Sequence, residues 1–208
     1  MRYLSSISFL MATALMLSVP AVNAATLTFG ASLSGANEVP ALNVPGTGNV
    51  TVVLDTVAET LTISGSFSNL TSPTTMAHIH CCAPLGTNVG VATEVPTFPG
   101  FPLTATSGPF SGFLNLLDPT SYNPPFITAN GGTAATAAIV LMNGIQNGLS
   151  YFNIHTVNNP GGEIRGQLLP LAAVPGPIVG AGLPGLIAAG GALLALARWR
   201  KRRLILCP

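Results

Sequence analysis

Alternation of hydrophobic and polar positions dominates the first half of the chain. In residues 26–29, 48–54 and 59–67, apolar or β-branched side chains recur at every second position. That is the period of a strand with one face on a core. Pro40, Pro45, Pro73 and the prolines between residues 96 and 102 fall between these runs, where a missing N–H costs no ladder bond. Short strands punctuated by Pro and Gly predict a mainly β fold, an antiparallel β-sandwich or an open barrel. Residues 133–146 break the period. They are rich in alanine, open on Thr133 and stop near Gly144 or Gly148, which predicts one helix packed on the sheet. Residues 151–167 return to alternation and predict a hairpin looped at 158–162. Phe152, Ile154, Ile164 and Leu168 take one face; Asn153, His155, Glu163, Arg165 and Gln167 take the other.

The two ends follow other patterns. A basic Arg2, an apolar run over residues 7–19 and small residues at Val22 and Ala24 predict a secretory signal peptide over 1–24. Near the other end, residues 178–197 carry no charge and Arg198, Arg200, Lys201, Arg202 and Arg203 follow at once. Twenty apolar residues suit a transmembrane span, and the basic cluster predicts that this end stays cytoplasmic.

Charge changes the picture of what lies between. The whole chain has a formal net charge of +1. Residues 25–174 hold six acids (Glu38, Asp55, Glu59, Glu94, Asp118, Glu163) against the single base Arg165, a balance of −5. The basic tail hides an acidic domain, so nucleic acid is excluded as a partner. About 150 residues suffice for one domain with its own core.

Residues 76–84, MAHIHCCAP, concentrate the candidate chemistry: two of the three histidines and two of the three cysteines. In a strand, His78 and His80 project to one side, and His155 reaches them if its hairpin lies alongside. Three imidazoles with an open position suit zinc or copper. A metal-free alternative uses the same residues: a closed hydrogen-bonded network of His78, His80, Asn153, His155, Glu163, Arg165 and Gln167. Glu163 and Arg165 share a strand face two residues apart, which predicts an ion pair inside that network. Outside the cytoplasm Cys81 and Cys82 have each other as a vicinal disulfide; free thiols and metal ligation by Cys82 stay open. Nothing resembles a nucleophile elbow or a paired base, so the expectation is a protein that is not an enzyme.

Two resemblances sharpen this reading. The segment 174–203 resembles the PEP-CTERM sorting signal of Gram-negative bacteria, in the variant whose tripeptide reads Pro175, Gly176, Pro177. Gly176 in place of the central Glu, and residues 204–208 beyond the basic cluster, depart from the usual pattern. The resemblance implies an exosortase-type processing enzyme as partner and a transient form anchored in the inner membrane. It further implies delivery to the cell surface or to exopolysaccharide and surface proteins. Residues 31–40 (ASLSGANEVP), 77–80 (AHIH) and 153–156 (NIHT) with 159–167 (NPGGEIRGQ) resemble, in order, the CHRD (chordin-type) domain, here spanning 25–170. It implies a β-sandwich-like binding or structural module, with the metal-binding alternative resting on His78, His80 and His155.

Overall fold

The structure is a computed structural model that describes residues 26–171 and Arg198. The expected leader lies outside the described residues, as do Pro175, Gly176, Pro177 and the expected span at 178–197. Among the described residues, no helix is long and apolar enough to cross a membrane.

The continuous path of the sheet has seven strands: β1 (Thr26–Ser34), β2 (Thr47–Asp55), β3 (Thr60–Ser68), β4 (Thr74–Cys81), β5 (Gly108–Asn115), β6 (Ser150–Thr156) and β7 (Ile164–Gln167). Their order is β4-β6-β7-β1-β2-β3-β5, and every neighbouring pair is antiparallel. The sheet stays open and curls into a half-barrel. Of the two expected architectures, sandwich and open barrel, it is closer to the second.

Alternation does what it predicts through the middle of the sheet. Val50, Val52 and Leu54 of β2 and Leu61, Ile63 and Phe67 of β3 are buried, with Phe29, Leu33, Phe110 and Leu114 from the flanking strands. Two helices accompany the sheet. The expected one is α2 (Ala134–Gln146). Its cap is reciprocal: the Thr133 hydroxyl accepts from the Thr136 N–H at 3.2 Å, and the Thr136 hydroxyl accepts from the Thr133 N–H at 3.3 Å. Ala137, Ala138, Leu141 and Ile145 form its buried stripe. The other helix, α1 (Pro124–Ala129), was not anticipated; two prolines open it, where their missing N–H groups cost nothing, and six residues are too few to show a period.

β4 and β6 break the rule of one wet face. Every residue of β6 is buried, and so are Ala77 through Cys81 of β4. One face carries Ala77, Ile79, Phe152 and Ile154 into the core. The opposite, polar face is covered by loops instead of water, and it is there that the histidines sit.

Candidate metal site on the polar face

Register brings the three imidazoles together. His78 lies opposite Asn153, His80 opposite Tyr151, and Met76 opposite His155, so all three rings project from one face of the β4–β6 pair. They are 1 %, 7 % and 5 % exposed for His78, His80 and His155. One ligand nitrogen from each falls within 4.8 Å of the other two, and the ring centroids are 5.3–5.9 Å apart.

The loops decide which nitrogen faces inward. His78 Nε2 bonds the carbonyl of Pro96 at 2.6 Å, His80 Nδ1 that of Val89 at 2.8 Å, and His155 Nδ1 that of Pro160 at 3.0 Å. A carbonyl only accepts, so each of these nitrogens carries the ring's proton. The other three, His78 Nδ1, His80 Nε2 and His155 Nε2, are left as lone pairs. His78 Nδ1 and His155 Nε2 stand 3.4 Å apart with no proton between them, and His80 Nε2 is buried without a partner. Burial, reinforced by His155, lowers His78 to about 4. Burial lowers His80 to about 4 against the pull of its Val89 bond, and lowers His155 too. The rings are therefore neutral at pH 7.

The remaining polar residues divide differently from expectation. Arg165 and Glu163 do not pair. β7 starts only at Ile164, and the turn through Gly162, at φ +127°, aims the Glu163 carboxylate at the loop before β4. There it accepts from Thr71 N–H (2.6 Å), Thr71 Oγ1 (2.8 Å), Thr156 Oγ1 (2.6 Å) and Asn159 Nδ2 (3.1 Å). Arg165 instead faces Glu38 at 3.8 Å. It donates to Asn37 O and Asn88 Oδ1 and lies 4.6 Å over the Tyr151 ring, which stacks on His80 at 4.7 Å. Burial pushes the Glu38 carboxyl up to about 7, against the pull of Arg165 and Asn153. Gln167 turns to Gly148 O at 2.6 Å and Ala83 O at 3.4 Å, away from the rings.

Residues 29–168 match the sequence profile of the CHRD domain. The chain belongs to the CHRD family. No curated protein and no solved structure matches it. CHRD domains are in general non-enzymatic.

Within this CHRD domain the cysteines leave the histidine face. β4 ends at Cys81, whose backbone pairs with Ser150 on the core side. Cys81 and Cys82 form a vicinal disulfide packed against Gly144 of α2, where an added Cβ would strike both sulfur atoms. Sequence reasoning passed over Tyr151, although the alternation that places Asn153 and His155 on the polar face places Tyr151 there as well. Glu38 had its signal in the 31–40 motif. The carbonyls of Val89, Pro96 and Pro160 had none, since any residue type supplies one.

Proposed function

We propose that this chain is an exported, surface- or matrix-associated protein whose CHRD domain is a metal-binding module, with His78, His80 and His155 holding one zinc or copper ion. The observation that carries the reading is the convergence of three buried nitrogen lone pairs with no hydrogen to share. Neutral imidazoles in van der Waals reach gain nothing from one another in that arrangement, whereas a cation accepts all three. The donor set fits. Metal–nitrogen bonds of about 2.0–2.1 Å in a trigonal or tetrahedral site set ligand nitrogens about 3.3–3.6 Å apart. The 3.4 Å pair already matches this spacing, and the widest separation, up to 4.8 Å, closes with a shift of about 1–1.5 Å. Each ring is also fixed through its second nitrogen, the usual support of a metal-bound histidine.

A second reading, a metal-free polar seam, draws on the same tethers, which already join β4 and β6 to three loops. Metal analysis of the exported chain, purified without chelator or nickel resin, separates the two. One zinc or copper ion per chain, lost in His78→Ala and His155→Ala, supports the module. No metal, with both variants merely less stable, makes the histidines a seam. The surface reading is supported by the apolar run at 7–19 and by the apolar span and basic tail after residue 177. Mass spectrometry of the exported chain tests it: termini at Ala25 and near Pro177 are expected, and an intact tail would point to a standing membrane anchor.

A further inference from the structure

We infer that the three-histidine cage selects a monovalent ion, copper(I), over divalent zinc. The inference rests on the metal-binding reading and follows from the charges around the rings. Each imidazole bonds a carbonyl through its N–H, so the donor set is neutral. Among the described residues no thiolate reaches it, because Cys81 and Cys82 are joined to each other on the core side of β4. No carboxylate joins it either. Glu163 is held by Thr71, Thr156 and Asn159, and Glu38 faces Arg165. The nearest formal positive charge, on Arg165, is separated from His80 only by the Tyr151 ring.

Such a site pays heavily for each unit of ionic charge. The cost of burying an ion grows as the square of its charge, so a dication costs about four times as much as a monocation in the same low-dielectric surroundings. Only an anionic fourth ligand reduces that cost, and for zinc the available one is hydroxide, formed from water with release of one proton. Copper(I) needs no such ligand, since three imidazole nitrogens complete its coordination. Of the ions that favour imidazole, copper is the one with an accessible monovalent state.

The test is an anaerobic titration of the metal-free full chain at pH 7.5. One arm uses copper(I) buffered by a chromophoric copper(I) chelator, the other zinc(II), and proton release is counted with an indicator dye. One copper(I) per chain, bound about a thousandfold more tightly than zinc and without proton release, is the expected result. X-ray absorption of the copper-loaded wild type then shows a copper(I) edge and nitrogen-only scatterers, a readout that no variant's folding defect can disturb. Zinc binding as tightly as copper(I), with one proton released per ion, overturns the inference and leaves the metal site standing. Failure of both ions to bind overturns the inference and the metal reading together.

Discussion

Gly144 shows how much one missing side chain can matter. Its Cα sits where α2 meets the disulfide and Ser150, and a Cβ there would lie 3.1 Å from Ser150 Oγ as well as against both sulfurs. Gly144→Ala is expected to destabilise the domain by about 1–3 kcal/mol, the usual cost of overfilling a packed core. The midpoint of urea unfolding at unchanged slope reads this. In a chain that also carries Cys81→Ala and Cys82→Ala the penalty should shrink by more than half, and additive costs would remove the disulfide from the explanation. Glu163 is the second such residue. Its carboxylate takes four donors from three segments, so Glu163→Gln should cost about 2 kcal/mol or more while leaving bound metal per folded chain unchanged. Neither role was legible in the sequence: Gly144 read as the end of a helix, and Glu163 as the partner of Arg165, because strand alternation says which face a residue takes and nothing about where a strand begins.

Among the elements, periodicity foretold β2, β3, the β6–β7 hairpin and α2 closely, and β1 only over residues 26–29 of its nine; β4 entered as a supposition, on which the sharing of one face by His78 and His80 with Asn153 and His155 depended. Periodicity missed β5 and α1. In β5, Gly112 interrupts the apolar alternation between Phe110 and Leu114. It also missed that the polar face of β4 and β6 is covered, since the covering groups are backbone carbonyls of loops and an Arg165–Glu38 contact between distant parts of the chain. The α2 cap, by contrast, could be read directly from Thr133. Thr133→Ala should cost about 1 kcal/mol in a thermal or urea melt, and an unchanged melt would mean that packing of Ala137, Leu141 and Ile145 alone sets the helix.

For the whole molecule, the buried rings tie stability to pH. Unfolded, a histidine titrates near 6.5; folded, His78 and His80 titrate near 4 and His155 below its ordinary value. Between those limits the unfolded chain binds protons that the folded one refuses, so acidification removes stability until the folded rings charge too. Glu38, raised to about 7, opposes this, because its folded carboxyl takes up a proton before the unfolded one does. Three rings outweigh one carboxyl. The metal-free chain should lose about 2 kcal/mol between pH 7.5 and pH 5, measured by denaturant unfolding across that range. A flat profile would mean that the rings are solvated in solution. Bound ion should raise the melting temperature at neutral pH with the logarithm of its free concentration over its dissociation constant, and acid should release it.

The cage also imposes an order on biosynthesis. Its candidate ligands lie at 78, 80 and 155, and its tethers at 89, 96 and 160. A chain emerging N-terminus first holds two of the three imidazoles for some seventy residues before the third arrives and β6 can zip onto β4. On the metal-binding reading, loading is thus an act of the finished domain, and an ion captured earlier would meet a half-built vessel.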